Sequence, residues 1–345
     1  MGMENSQRNN CIDMLRIVSA FCIICLHHFT GTGYPLGEEL PAMARFAVPL
    51  FFMISGYYAA AFDKTRRIKQ MKKLLFLTVA SNIGYFLYRM ADAAAGQYLP
   101  GFFAEKFTWS ALWTFLWSGE SSVASHLWFL SALLYIVVLD HLVFSRLRGR
   151  KHGRAITVAI ALVLLIGGLT YYHVNTTVLH QVLPYQNYRN FLLMGTPFYL
   201  FGKLLRDSRL TELRLNVPVT SVLLVVLFAI CLGEFWWLGN IEIYLSSIVT
   251  AFVLLLFALQ HPMEHAGKAV KAIAAAGRRY SLSVYVVHIF LLDKVRSVYF
   301  SHVRWGTVEP GFYFIPLAVM ALALLIAAAY GAVKTAVQKR LRNQR

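Results

Sequence analysis

Ten apolar stretches, each of about membrane-spanning length, constrain this chain more than any other feature. They lie near residues 14–33, 45–62, 74–91, 127–145, 155–173, 190–205, 217–233, 240–260, 281–299 and 312–333. Only 14% of the 345 residues are charged, against about 25% in soluble domains. We therefore predict an all-α polytopic membrane protein that forms a single integral membrane domain over residues 1–345.

The distribution of positive charge predicts the topology. Of the 33 Lys and Arg residues, 25 fall in loops on one side of the ten stretches or in the two termini. By the positive-inside rule, both termini are cytoplasmic. The net charge of +17 then reflects topology and contact with anionic lipid, not nucleic-acid binding. We expect a multi-pass protein of a cell membrane, most consistent with a bacterial plasma membrane.

Three further patterns refine this expectation. Pro49, Gly56 and Pro197 interrupt apolar stretches. Irregular backbone at membrane depth is tolerated where protein or water surrounds it, so these breaks predict a central cavity, with ordinary kinked packing as the alternative.

The gap 92–126 is rich in Trp and Phe, which indicates an interfacial or re-entrant segment or, alternatively, an amphipathic loop. The four cysteines lie in or beside apolar stretches and indicate neither a disulfide framework nor a metal site.

The first apolar stretch carries two ionisable groups that make it a candidate catalytic element. Arg16 and His27 are separated by ten residues. Eleven helical steps of about 1.5 Å and about 100° place them roughly 16 Å apart on nearly the same face. Intramembrane ionisable groups are costly and are usually functional. The His27 imidazole can accept a proton from a hydroxyl and later return it, whereas Arg16 stays charged and can hold an anion.

Structural alternatives exist for both residues. Asp13 lies three residues before Arg16, so the two can form an ion pair at the helix end. A lone intramembrane histidine can also be a packing residue bonded to a neighbouring span. His28, on the next face, fits that packing role better than His27 does.

A basic loop follows the second stretch. Its cations Arg66, Arg67, Lys69, Lys72 and Lys73 would attract a nucleotide-like polyanion. The alternative is that they serve topology and contact lipid phosphates.

Other polar or aromatic residues at membrane depth or at its outer edge are candidate substrate contacts. Arg189 and Asn190 open the sixth stretch at its outer end, and Glu234 precedes two tryptophans at the outer end of the seventh. The complete set is Asp13, Ser55, Glu120, His126, Trp128, Arg189, Asn190, Glu234, Tyr285 and His288. The sequence contains no HExxH, GxSxG, P-loop, GxGxxG or paired CxxC motif, so it gives no support for metal, serine-hydrolase or dinucleotide chemistry.

Four stretches, taken together, resemble the acyltransferase-3 family of integral membrane proteins. They are Asp13-x-Leu15-Arg16 with ten residues to His27, Phe51 to Tyr57 (FFMISGY), His126 to Leu130 (HLWFL), and Tyr280 to His288 (YSLSVYVVH). The resemblance implies transfer of an acyl group, usually acetyl, from cytoplasmic acyl-CoA to a hydroxyl of a cell-envelope or small-molecule acceptor. It implies that His27 is the catalytic histidine, that Arg16 belongs to the donor site, and that acetyl-CoA is the co-substrate. We expect no metal cofactor, because the sequence lacks the metal-binding motifs named above.

The sequence departs from the family in one place. Members often carry Arg-x-x-Arg after the second span, whereas this chain has Gln70-Met71-Lys72-Lys73. Lysine does not reproduce the forked phosphate contacts of arginine, so the departure concerns donor binding.

A second hypothesis also remains. The stretches beginning at Arg45 and Arg189 resemble the membrane domains of vancomycin-resistance serine racemases. On that hypothesis the chain binds or moves a small amino acid such as L-serine, and Glu234 and Arg189 hold its amine and carboxylate.

Overall fold

The structure is a computed structural model that describes residues 9–212, 215–303 and 309–343. These residues are 81% helical and contain no strand. The helices are α1 (Asn10–Phe29), α2 (Glu39–Ala44), α3 (Ala47–Ala59), α4 (Lys64–Ala95), α5 (Leu99–Lys106), α6 (Trp109–Ser118), α7 (Trp128–Leu139), α8 (Ser145–Leu147), α9 (Gly153–His173), α10 (Thr196–Arg206), α11 (Val217–Leu238), α12 (Leu245–Gln260), α13 (Lys268–His302) and α14 (Pro310–Asn343). The all-α prediction is confirmed.

Seven helical segments within the described residues are long and apolar enough to cross a membrane. They are Asn10–Phe29, Glu39–Ala59, Lys64–Ala95, Ser125–Leu147, Gly153–Val178, Val217–Leu238 and Pro310–Gln338, and each overlaps a predicted stretch. The other three predicted stretches are helical too. α10 and α12 are short, whereas α13 is about 52 Å long and carries several charges. Ten spans therefore remain a prediction.

The chain divides into two compact units, Met1–Val48 with Arg214–Arg345, and Pro49–Leu213. In the first unit, α1 and α13 run parallel. Gly277 lies against the Asp13 carbonyl, and fourteen residues further along α1 the His27 ring lies beside His288. A glycine is required at position 277 because a β-carbon there would overlap the Asp13 carbonyl oxygen. The same close approach of small residues is common between membrane helices.

The remaining helices of the first unit are fixed by polar contacts at their ends. The Asn9 side chain accepts from the Ile12 amide, which caps α1, and donates to the Ala258 carbonyl of α12. Gln260, at the end of α12, accepts from the Leu215 amide just before α11. α11 and α12 are therefore antiparallel, and α1 begins where α12 ends.

The second unit is built around α7 and α10. β-Carbons at Gly56 and Gly202 would overlap the Tyr199 and Met53 carbonyls, so glycine permits α3 and α10 to cross in backbone contact. α7 continues into a π-helical turn, Asp140–Phe144, and a second such turn, Phe191–Gly195, leads into α10. Extra residues in a turn rotate the side chains that follow, and π-turns are frequent at functional sites.

The segment 92–126 contains α5 and α6, two short helices rich in aromatic residues. Trp109 and Trp113 are 86% and 70% exposed, and Phe107 is exposed as well. Exposed tryptophans are typical of the membrane–water interface, and the position of this segment at that interface stays a prediction.

Candidate active site

The first unit places two histidines side by side. The rings of His27 on α1 and His288 on α13 have centroids 5.2 Å apart and are tilted by 43°. His288 is fully buried, and its Nδ1–H donates to the Tyr285 carbonyl at 2.6 Å. In the neutral ring this bond leaves Nε2 as the acceptor nitrogen. His27, Tyr285 and His288, all candidate site residues, thus form one aromatic cluster.

His28 has a structural role, as its position on the neighbouring face of α1 predicts. Its Nε2–H donates to the Phe312 carbonyl at 3.1 Å, and its Nδ1 accepts from Arg296 Nε at 3.1 Å. The Arg296 guanidinium also donates to the His28 backbone carbonyl. Both ring nitrogens are occupied, so His28 ties α1 to α13 and α14 and is not placed for catalysis.

At the start of α1, Asp13 joins two arginines. Arg16 Nη1 lies 3.2 Å from Asp13 Oδ1, and Arg278 Nη1 from α13 lies 2.7 Å from Asp13 Oδ2. The helix-end ion pair expected from the sequence is therefore present, and Arg278 is a partner that the sequence did not indicate. The Asp13 side chain is 5% exposed and that of Arg16 22%, so the carboxylate is buried while the Arg16 side chain is partly exposed.

The second unit gathers another group of predicted residues. Arg189 Nη2 lies 3.5 Å from Glu120 Oε2, and its guanidinium covers the Trp128 and Tyr185 rings at 5.6 and 4.6 Å from their centroids. His126, two residues before Trp128, is buried. Its ring packs edge-on against that of Tyr85 in α4, with the ring centroids 4.6 Å apart. Glu120, Trp128 and Arg189 thus form one polar and aromatic site, in which the arginine has a carboxylate partner and two aromatic rings beside it.

Asn190 and Ser55 use their polar groups locally. The Asn190 Oδ1 accepts from the Leu192 and Leu193 amides and caps the π-turn that leads into α10, while its Nδ2 donates to the Gln186 and Asn187 carbonyls. Ser55 Oγ donates to the Phe51 carbonyl one turn earlier. These bonds account for both side chains structurally, and their contact with a substrate remains a prediction.

Glu234 is occupied by its own unit. Its carboxylate accepts from the Leu245 and Ser246 amides at 3.2 and 3.1 Å and from the Ser246 hydroxyl, so it caps α12 from the neighbouring helix α11. The amino-acid hypothesis needs this carboxylate to hold an amine. That hypothesis remains a prediction, and the structure gives Glu234 a different role.

The basic residues of α4 separate into two kinds. Arg66, Lys69, Lys72 and Lys73 are exposed in the first turns of the helix. Arg67 points into the second unit, where its side chain is 11% exposed and Nε lies 3.9 Å from Asp140 Oδ2. The four exposed cations precede an exposed apolar face that includes Leu75, a position that suits either a soluble polyanion or lipid phosphates.

Comparison with known protein families decides the assignment. A family model described as "Acyltransferase domain" matches residues 9–330, nearly the whole chain. The chain belongs to the acyltransferase-3 family. Together with the apolar helices, this membership identifies a multi-pass membrane protein with an acyl-transferring domain. Neither the curated proteins nor the solved structures contain a significant match. The proposed relationship to serine racemases is therefore still only a prediction.

Besides the Arg278 contact, sequence reasoning missed two ion pairs whose side chains are largely buried. In the first unit, Arg45 Nη1 lies 2.9 Å from Glu242 Oε2. In the second unit, Lys203 forms an ion pair with Asp140. The one available signal was the presence of Asp140 and Lys203 inside or beside apolar stretches, where an ionisable group needs a partner.

Proposed function

We propose that this protein transfers an acyl group, most simply acetyl, from acyl-CoA to a hydroxyl of a cell-envelope or small-molecule acceptor, with His27 as the general base. The observation that supports the proposal most strongly is the pairing of His27 with His288 in a chain whose family transfers acyl groups. His28 offers no alternative base because both its ring nitrogens are engaged.

The chemistry asked of His27 is a single proton transfer in each direction. The imidazole removes the proton from the acceptor hydroxyl as that oxygen attacks the thioester carbonyl, and the C–S bond then breaks. The proton returns to the departing thiolate, which leaves as free thiol, and the new C–O bond completes the ester. His288 is oriented by its hydrogen bond to the Tyr285 carbonyl, and its ring packs against that of His27. A transient acyl-enzyme is an alternative route that uses the same base.

Each unit separately offers positive charge that fits an anionic group of the donor. In the first unit, Arg16 is partly exposed and is paired with Asp13. In the second unit, the exposed cations Arg66, Lys69, Lys72 and Lys73 provide a positive surface for phosphates. We leave Arg67 out of this group because it is directed toward Asp140.

The ten-span topology with both termini in the cytoplasm is also part of the proposal. In a ten-span protein, the first and ninth spans cross the membrane in the same direction. Within the first unit, α1 and α13 are parallel, as this topology requires. Within the second unit, Arg67 lies by Asp140 and Tyr85 lies by His126, so α4 and α7 are antiparallel. Consecutive spans three and four require this opposite direction. Labelling of loop cysteines from either side of the membrane tests this topology.

The decisive experiment uses membranes containing the full chain, supplied with radiolabelled acetyl-CoA. We expect His27→Ala to lower incorporation of label into the envelope fraction by about 10²–10⁴-fold, the usual contribution of a general base. His265→Ala is the matched control, because that histidine is exposed in the loop before α13.

Two measurements make the result interpretable. Acetyl-CoA should raise the thermal unfolding midpoint of wild type and of His27→Ala alike, since the base is not needed for donor binding. Undiminished incorporation in His27→Ala would refute the mechanism. Stabilisation by L-serine but not by acetyl-CoA would favour the amino-acid hypothesis instead.

A further inference from the structure

A buried charge cluster in the second unit has no part in the function proposed above. Asp140, fully buried in the π-turn after α7, accepts from the Lys203 ammonium and from the Tyr199 hydroxyl at 3.3 Å. Arg67 Nε lies 3.9 Å from the same carboxylate. One carboxylate thus faces two cations, and the cluster carries a net positive charge. Such groups inside a membrane protein mark functional sites by default.

The cluster is continuous with a cavity of about 180 Å³. Lys203 lines the cavity, as do Arg148 and Arg150 from the connection between α8 and α9 and Arg154 from the first turn of α9. Asp207 is the single carboxylate among its lining residues, all of which lie in the described part of the chain.

The cavity has more positive charge than its own carboxylate can balance. Asp207 Oδ1 lies 3.5 Å from Arg148 Nη2, whereas Arg154 Nη1 donates to the Asp207 backbone carbonyl at 3.0 Å and so gains no counter-charge there. Lys203 is paired with Asp140, which Arg67 shares. Arg150 and Arg154 therefore add two positive charges that no lining carboxylate offsets.

The N-terminal end of α9 adds to the positive potential of the cavity. The helix begins at Gly153, which lines the cavity, and the residue before it, His152, makes no capping hydrogen bond through its side chain. A helix N-terminus carries a partial positive charge and open amide donors. The β-carbon that Gly153 lacks would overlap the Leu147 carbonyl, so the glycine allows the loop to close tightly around the cavity.

We propose that this cavity binds a phosphate group, carried by a phospholipid headgroup or by a small soluble phosphate. The volume lies below the roughly 300–1,000 Å³ of pockets that enclose whole organic ligands, so it suits a small anionic group. Guanidinium groups bind phosphate through forked, charge-assisted hydrogen bonds, and three arginines line this cavity. The exposed α4 cations proposed for the acyl donor do not line this cavity, so the two proposals are independent.

The test uses the full chain in nanodiscs, with no acyl donor present. In the first arm, zwitterionic phosphatidylcholine discs are titrated with inorganic pyrophosphate at constant ionic strength while the thermal unfolding midpoint is followed. In the second arm, discs containing phosphatidylglycerol are used, and the lipid retained by the protein is measured by native mass spectrometry. Saturable stabilisation in the first arm identifies a soluble phosphate, and selective retention in the second identifies a lipid headgroup.

Arg150→Gln is the informative variant and Lys151→Gln its matched control. Both residues are exposed in the same loop and lose one charge, but Lys151 does not line the cavity. Arg150→Gln should weaken binding at least tenfold in the arm that responds, whereas Lys151→Gln should match wild type. Equal behaviour of the two variants, or no response in either arm, would overturn the proposal. Acyl transfer by Arg150→Gln and Lys151→Gln is measured in a separate assay. Its result bears only on the proposed enzymatic function and not on phosphate binding by the cavity.

Discussion

Substituting Gly277 tests whether the contact between α1 and α13 sets the geometry of the proposed catalytic site. In Gly277→Ala, the new methyl group would overlap the Asp13 carbonyl oxygen and would lie 3.0 Å from the carbonyl carbon and 3.4 Å from Ile17 Cβ. Because β-carbons essentially never lie closer than 3.0 Å to a non-bonded heavy atom, and the overlap with the oxygen is the tightest of these contacts, the two helices must separate locally by about 1 Å or more.

Two magnitudes follow from that displacement. Overpacking of this kind usually costs about 1–3 kcal/mol of unfolding free energy. Asp13 also anchors Arg16 and Arg278, and His27 lies further along the same helix beside His288, so α1 should shift relative to α13. Misplacement of a catalytic group by about 1 Å can lower activity by about 10²-fold.

Gly233→Ala provides the matched control. Gly233 lies inside α11 of the same unit, and a β-carbon there would meet nothing within 4 Å. We expect this variant to gain about 0.5–1 kcal/mol from the better helix propensity of alanine. Unfolding in mixed detergent micelles and incorporation of labelled acetyl groups give the two readouts. If Gly277→Ala matched Gly233→Ala in both, the close contact would not position the site.

Further substitutions test two carboxylates to which the structure gives a packing role, Asp140 and Glu234. Asp140→Asn should destabilise the chain by about 3–5 kcal/mol because it leaves Lys203 and Arg67 buried beside a neutral amide, and the double variant Asp140→Asn with Lys203→Met should recover part of that loss in the same unfolding assay. Equal stability of the single and double variants would refute the coupling. Glu234→Gln should cost about 1–2 kcal/mol through weaker capping of α12 while acyl transfer persists, and loss of transfer at unchanged stability would instead give Glu234 a substrate role.

Much of the candidate site could be predicted from the sequence because it depends on local helix geometry. The ten-residue interval between Arg16 and His27 fixes their relative orientation once α1 forms, and the Asp13–Arg16 pair follows from a separation of three residues. The exposed cations at the start of α4 follow from the same local reading. Roles such as the Asn190 and Glu234 caps were missed because capping depends on where a helix ends, which hydropathy locates only within a few residues.

The sequence by itself determined that the chain is helical, where most of its helices lie, and which face of α1 carries ionisable groups, because apolar length and helical periodicity are local properties. The tertiary structure alone decided that His27 meets His288, that Arg278 joins Asp13, and that Asp140 faces Lys203. These partners are more than 60 residues apart in the chain, and the first two more than 260. Such pairs form only when two helices pack at a particular distance and in a particular register, which small residues packed against backbone make possible. That distance and that register depend on both helices, so neither can be read from one segment of the sequence.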